Sequence, residues 1–549
     1  MIPASTRAPR EAKIPMGALR SPIPFLVFFC AYAIFLVVEL PRYGLTFDVP
    51  YEFSRATAYV ERFLSGRTDP LQSPPERRPP WHVLSWDTAK NSLTLSLHAS
   101  LPSMIAAVSG KLFFEKLGLL GAVDAFHLGL TILWLGLLVY FYLCLRQLHD
   151  GAVALLASIV LALAPRVVGE VHNNMKDVPA MAFSTLALLE VAVAVVHARP
   201  RRLYAAATLF GCALASKLSA ATAMVPAAVL LLLWHRAGGL WPRVPRGYWV
   251  PLVVAPLVAL SIVVACWPYL WALPPELWDR LENLRAHLGL RVRDEVRISS
   301  YPLAMVLYTT PPAVLALALA SLTAPEALNR QGRATRFLYW YYAGWLAWVL
   351  FSFSVSRVQL FDGIRHFLLV WPPLAILAAV GAVHCGRWLG RGGATRRLAA
   401  GGGLVLLGGS LVHPLVRYHP YEVTYFNALV GGLPGATTLD FGDAVDDFEA
   451  RDYWGTSLRA AVGWANAHLP AGAYVSFGVP PMVGDYYELR ADLQPVEWEP
   501  GTTYAPHYAI FICRSRWYRG LEHAALERGE LVYEVEVEGV ALSVVYRLR

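Results

Sequence analysis

About eleven apolar runs of roughly 17 to 23 residues divide this chain, and no other feature constrains its fold so tightly. They lie near 22–41, 125–145, 151–167, 178–197, 202–216, 218–235, 249–271, 301–322, 337–355, 366–384 and 398–416. A run of that length reads as a bilayer-spanning helix, because lipid offers no partner to an open backbone N–H or C=O. Composition agrees. With 56% hydrophobic and 16% charged residues, 549 residues carry too little polar surface for a soluble protein. The fifth and sixth runs are separated only by "SKLS".

The formal net charge of +8 would suit nucleic acid, but its distribution points elsewhere. Arginines gather in alternate connections, "HARPRRLY", "HRAGGLWPRVPRG", "NRQGRATR" and "GRWLGRGGATRR", with Arg146 in the remaining short one. That pattern satisfies the positive-inside rule with the N-terminus cytoplasmic, and no nucleic-acid partner is expected. Pro22–Leu40 reads as a retained first span, since no small-residue cleavage site follows it. Six cysteines without C-x-x-C spacing indicate neither a disulfide framework nor a zinc site. The Ala- and Arg-rich, Lys-poor composition suggests a bacterial chain, hence the cytoplasmic (inner) membrane.

The organisation that follows has three parts: a cytoplasmic tail 1–21, a transmembrane domain 22–416, and an extracytoplasmic α/β domain 417–549. The transmembrane part includes an outer loop, 42–124, with two amphipathic segments. "VPYEFSRATAYVERFL" puts Phe53, Ala56, Val60, Phe63 and Leu64 on one face, and "LPSMIAAVSGKLFFEKL" is similarly sided. Both predict helices lying in the membrane surface. "RTDPLQSPPERRPPW" between them is an irregular connection. In the last part, "SLRAAVGWANAHL" predicts a helix and "AYVSFGV", "HYAIFICR" and "LVYEVEVEGVALSVVYRLR" predict strands, the last a hairpin about Glu538–Gly539.

On this topology the unusual polar residues share the outer side. Asp48 and Glu52 follow the first span. His172, Asn173, Asn174, Lys176 and Asp177 fill one short turn, Lys217 the next, and Asp362, Arg365 and His366 a later one. A site at headgroup depth suits a substrate with a lipid tail and a polar head. Lysine occurs only six times, so Lys176 and Lys217 stand out. A lysine beside a helix N-terminus makes a phosphate site. Plainer roles stand beside these. Asp177 before Val178–Pro179, and Asp48 before Val49–Pro50, both read as helix N-caps. Lys217 can snorkel, and Arg365 and His366 can anchor at the interface. Glu190, inside the fourth span, has no evident partner in the sequence.

Taken in order, several motifs resemble the GT-C superfamily of membrane glycosyltransferases, and within it family 39, the protein O-mannosyltransferases and lipid A aminoarabinose transferases. They are Asp48 in the first outer loop, "HNNMKDVP", "WPYLW", "YTTPP", "GIRHFLLVWPPLAIL" and "HPYEVTYFNALVGG…FEARDYWGTSLRAAVGWANAHLP". The resemblance implies an α-helical polytopic GT-C fold of about eleven transmembrane helices, with the small α/β domain outside. It implies transfer of a sugar from a polyprenyl-phosphate donor to an acceptor hydroxyl, with inversion. Asp48 matches the family's general base and Asp177 the acid of the second outer turn, and both are candidate ligands for Mg²⁺ or Mn²⁺. Relatives often carry adjacent acids at the first position; here Val49 follows Asp48 and the next acid is Glu52. Lys176, Lys217, Arg365 and His366 are the candidates to hold the donor phosphate, with Glu52, His172, Asn173 and Asn174 as further substrate contacts. The expected partners are membrane lipids, the lipid-linked sugar, and a glycolipid, polysaccharide or protein acceptor. Two other classes fit the chain less well. A transporter or flippase would place ionisable groups near the bilayer midplane. A non-catalytic sugar-binding protein would have no use for Asp48 beside a basic cluster.

Overall fold

The computed structural model describes residues 21–66, 99–238, 246–290, 292–323, 333–358, 360, 363–441, 448–484, 486–487, 489–498 and 506–548. The tail before residue 21, the Pro-rich connection 67–98 and Asp362 lie outside the described residues.

Each predicted apolar run is helical. Among the described residues, six helices are long and apolar enough to cross a membrane singly. They are α1 (Ile23–Val38, running on through a turn to Arg42), α4 (Ala122–Leu148), α7 (Asp177–Val196), α10 (Arg246–Cys266), α15 (Trp371–Gly390, with the turn Arg365–Val370 before it) and α16 (Ala394–Tyr418). Two predicted spans are bent rather than continuous. The first splits into α5 (Gly151–Ala162) and α6 (Pro165–Val171) at 64°, the second into α12 (Tyr301–Thr309) and α13 (Pro312–Ala320) at 109°. Proline is the cause in both: Pro165, and Pro311 with Pro312, withhold N–H donors and force the preceding residue out of helix. The runs at 202–216 and 218–235 give α8 (Arg202–Leu214), a tight turn Leu218–Ala223 and α9 (Met224–Gly238), while α14 (Arg333–Ser354) fills the run near 337–355.

In the first long loop, α2 (Val49–Ser65) and α3 (Leu101–Ser109) form, and α3 continues through a wide turn, Gly110–Lys116. The helix α2, expected in the membrane surface from its sidedness, packs most of its length against the rest of the protein. Its residues from Val49 to Glu61 are buried apart from Tyr51, and only the end of the predicted face, Phe63 and Leu64, is exposed. Phe53 meets Phe126 of α4 at a ring distance of 4.4 Å, so the helix is clamped to the bundle. That burial fixes Asp48 and Glu52 at its start.

Beyond the amphipathic α11 (Glu276–Leu290), β1 (Val292–Ile298) pairs antiparallel with β2 (Val355–Val358), a ribbon that the sequence pattern did not announce. After α16 the chain builds a five-stranded mixed sheet ordered β4-β3-β5-β7-β6. Its strands are β3 (Tyr474–Phe477), β4 (Gln494–Pro495), β5 (Tyr508–Ile512), β6 (Glu530–Val537) and β7 (Val540–Arg547), accompanied by α17 (Leu458–His468) and α18 (Gly520–Arg528). The predicted hairpin turn is present, with Glu538 and Gly539 both at positive φ (52° and 75°), the twist a two-residue hairpin needs.

This sheet unit is fastened to the helices near Asp48. The buried guanidinium of Arg166 (α6) donates to the carbonyls of Tyr425, at 3.0 Å, and Val423. Phe47 N donates to Trp454 O at 2.9 Å. Gly44 is required where it stands: a Cβ there would lie 2.0 Å from the Thr456 carbonyl oxygen.

Candidate active site

Five separated segments meet at one end of the bundle. Asp48 precedes α2, but its carboxylate does not cap that helix. Instead Oδ2 accepts from Arg365 Nη1 at 3.1 Å, and Oδ1 lies 3.9 Å from Lys176 Nζ. One turn along α2, the buried Glu52 takes Lys176 Nζ at 3.2 Å through Oε1. Its Oε2 accepts from the Arg55 guanidinium and from Ser103 Oγ of α3, the latter at 3.1 Å. Glu52 therefore anchors Lys176 toward Asp48 instead of acting as a second free acid. Burial opposes ionisation of Asp48, but Lys176 and Arg365 outweigh it and hold the carboxyl below the usual carboxylate range.

The "HNNMKD" turn divides its labour. The cap of α7 is Asn174 and not Asp177: Asn174 Oδ1 accepts from the backbone N–H of Lys176 (3.1 Å) and of Asp177 (2.7 Å). Asn174 Nδ2 in turn reaches Glu170 Oε2 at 2.6 Å and Asp177 Oδ2 at 3.2 Å. Asp177 is thus left as the first helical residue, with its carboxylate turned to Lys217. His172 and Asn173 face the other way. His172 Nε2 meets Leu36 O at 3.0 Å and its ring stacks on Tyr43 at 4.0 Å. Burial lowers its pKa to about 4, so it is a neutral fastener. Asn173 Nδ2 donates to Gly44 O at 3.1 Å. Both hold the segment that leads to Asp48.

Asp177, Lys217, Arg365 and His366 line a narrow cleft backed by Ala180, Met181 and Ser184 of α7. Ser184 also borders a far larger apolar groove of about 510 Å³ between α7, α8, α9 and α10. Trp454, from "DYWGTS", was not among the expected site residues; its ring lies 4.6 Å from the Arg365 guanidinium carbon. A buried tryptophan over an arginine steers the guanidinium through its flat face. The motif containing it was visible in the sequence, but nothing local marks which aromatic stacks on a cation 89 residues away.

A divalent cation does not suit these acids as they stand. Asp48 faces Arg365 and Lys176, and Asp177 faces Lys217, charges that would repel it. Among the described residues no three His, Cys, Asp or Glu side chains gather as a metal would need. Glu190 has partners after all: Tyr140 Oη at 2.6 Å and Arg202 Nη1 at 2.9 Å, well away from the cleft.

Residues 103–267 match the family model described as dolichyl-phosphate-mannose-protein mannosyltransferase. No curated protein sequence matches the chain. Among solved structures, the chain is similar to ArnT from Cupriavidus metallidurans in the apo state, at 17% identity and TM-score 0.50 over 95% of this chain and 98% of that one. The same protein bound to undecaprenyl phosphate is similar at 16% identity and TM-score 0.47, covering 96% and 98%. The oligosaccharyltransferase of Archaeoglobus fulgidus in the apo form is similar at 12% identity and TM-score 0.47, covering 86% of this chain and 64% of that one. With its apolar helices, its C-terminal sheet unit and the matched segment, the protein has the GT-C fold of polytopic membrane glycosyltransferases.

Proposed function

We propose that the chain transfers a sugar from a polyprenyl-phosphate donor to an acceptor hydroxyl, with inversion. The observation that carries this reading is Ser184, which lines both a charged cleft and an apolar groove and so brings the two side by side. A phosphate with a long isoprenoid tail is the ligand that uses both. The donor named in the matched family's description, a dolichyl-phosphate sugar, is of this chemical class.

Asp48 takes the proton from the acceptor hydroxyl as its oxygen forms a bond to the anomeric carbon. On the opposite face the bond from that carbon to the phosphate oxygen breaks, and its electron pair stays with the phosphate. Charge on the leaving phosphate grows from about −1 to −2, and Lys217, Arg365, Lys176 and His366 are placed to meet it. Those cations are already held at the edge of a low-dielectric region, so little reorganisation is needed as the charge develops. Asp177 orients Lys217. Glu52, through Lys176, and Asn174, through Asp177, set the positions of the basic groups.

The alternation of arginine-rich connections supports an N-terminus in the cytoplasm of a bacterial inner membrane, with the cleft and the residues after 417 on the outer face. The deciding experiment is release of polyprenyl phosphate from a panel of polyprenyl-phosphate sugars, with and without acceptors, in detergent. Release from one donor by wild type and its loss in Asp48→Asn supports the reaction and names the sugar. No release from any donor with any acceptor would defeat the reading.

A further inference from the structure

Outside the cleft, one ionisable cluster has no part in this chemistry. His419 follows α16 and lies between two carboxylates from distant parts of the chain. Its Nε2 is 3.0 Å from Glu39 Oε2 at the end of α1, and its Nδ1 is 2.9 Å from Glu422 Oε1. Glu422 is fully buried, and its Oε1 also accepts the Tyr43 hydroxyl at 3.0 Å. The other groups around His419 are Arg42, which pairs with Glu39 at 3.1 Å, the Phe35 ring at 5.8 Å, and His172 on the Tyr43 ring.

A neutral imidazole has one N–H and can serve only one of these carboxylates; its other nitrogen would turn a lone pair toward an anion. Only the imidazolium satisfies both. Burial works against the proton on His419, but the hydrogen bonds and charges of Glu422 and Glu39 prevail and raise its pKa above the ordinary value.

We propose that the His419 imidazolium is a positioning group for Asp48. It ties the end of α1 and Tyr43 to the end of α16, and this tie fixes the short segment from Tyr43 to Asp48 against the Arg365 cleft. Loss of its proton at alkaline pH leaves a single imidazole N–H between Glu39, which keeps Arg42, and the buried Glu422, which keeps the Tyr43 hydroxyl, and so loosens that segment at its Tyr43 end. The segment's other holds are Arg459 on the Tyr43 carbonyl (2.9 Å), Asn173 on Gly44, Tyr487 on the Leu45 N–H (2.6 Å), Trp454 and Trp517 on Phe47, and Arg365 on Asp48, so the His419 tie adds to them at the Tyr43 end. The inference rests on the reading of Asp48 as general base, but the tie itself does not.

The test compares the full-length wild type with Glu39→Gln and His419→Gln between pH 6 and pH 10, by thermal midpoint, turnover and hydrogen–deuterium exchange of residues 43–49. A group whose folded pKa is raised stabilises below its unfolded pKa and loses that contribution as pH rises through the folded value. The wild-type midpoint should therefore show an alkaline limb, with kcat falling along it and donor KM little changed. Removing one carboxylate in Glu39→Gln should move the limb down by about one pH unit, and His419→Gln should have no such limb. Exchange at 43–49, corrected for its intrinsic pH dependence, should accelerate along the same limb. An alkaline limb that is absent, or unmoved in Glu39→Gln, overturns the tie. A limb that moves while exchange at 43–49 stays constant overturns the coupling to Asp48. Failure of the chain to turn over any donor would count against the transferase reading alone, because midpoint and exchange need no turnover.

Discussion

Asp48 and Arg365 stand 317 positions apart in the chain and 3.1 Å apart in space, and each is held there by its own surroundings. Arg365 is steered by Trp454, and Asp48 by the burial of α2. The pair, with Lys176, keeps the carboxylate ionised in a place where burial alone would protonate it.

A pH dependence follows from that charge balance. With Asp48 as the proposed base, turnover should fall as pH drops through its depressed pKa, and the acid limb should lie below the ordinary carboxylate range. Arg365→Gln removes one of the two cations and should move the limb upward. The check is kcat/KM against pH for both proteins; an acid limb at the same pH in each would separate Asp48 from the limb.

Base and phosphate ligand should come apart in kinetics. Asp48→Asn is expected to lower kcat by about 10² to 10⁴-fold while leaving donor affinity within a few-fold, since general-base catalysis is worth about that much. Lys217→Ala should raise donor KM instead. Steady-state kinetics with a lipid-linked donor would distinguish them, and equal effects on both constants would erase the division of roles.

The groove offers a test by chain length. Ala207 lines it with a small side chain, and Ala207→Trp would fill part of its volume. Donor with a long isoprenoid chain should lose about tenfold or more in kcat/KM, because each buried CH₂ is worth roughly 0.8 kcal/mol. A donor analogue with a chain of one or two isoprene units should be nearly unaffected. Parallel losses for both donors would place the tail elsewhere.

Asn174 and Asp177 make opposite contributions. Asn174→Ala removes the side-chain cap of α7 and should cost about 1 kcal/mol, read as a lowered thermal midpoint. Asp177→Asn leaves the cap in place, so its effect should fall on donor KM through Lys217. A larger midpoint loss in Asp177→Asn than in Asn174→Ala would reverse the assignment.

Hydropathy and arginine spacing were enough to locate the helices, because burial in lipid imposes a long, local pattern. The grouping of Asp48, Lys176, Lys217 and Arg365 was also legible, since charges that share one side of a membrane have few places to go. What escaped depended on geometry between distant residues. Whether Asn174 or Asp177 caps α7 is decided by which side chain has a better partner, and Lys217 draws Asp177 away. That His172 is a neutral fastener follows from its burial against Tyr43 and Leu36, which no spacing encodes. The burial of α2 hinges on its contact with α4, and amphipathicity alone fits membrane and protein equally well.

Trp454 closes over Arg365 from the sheet unit, long after Asp48 in the order of the chain. During synthesis Asp48, Lys176 and Lys217 are all made while Arg365 and its steering ring do not yet exist. On the proposed reading, a half-finished chain thus has the groove-lining helices but not the Arg365 side of the Asp48 site, and would not turn over its donor. Completion of the last part of the chain is what completes the site.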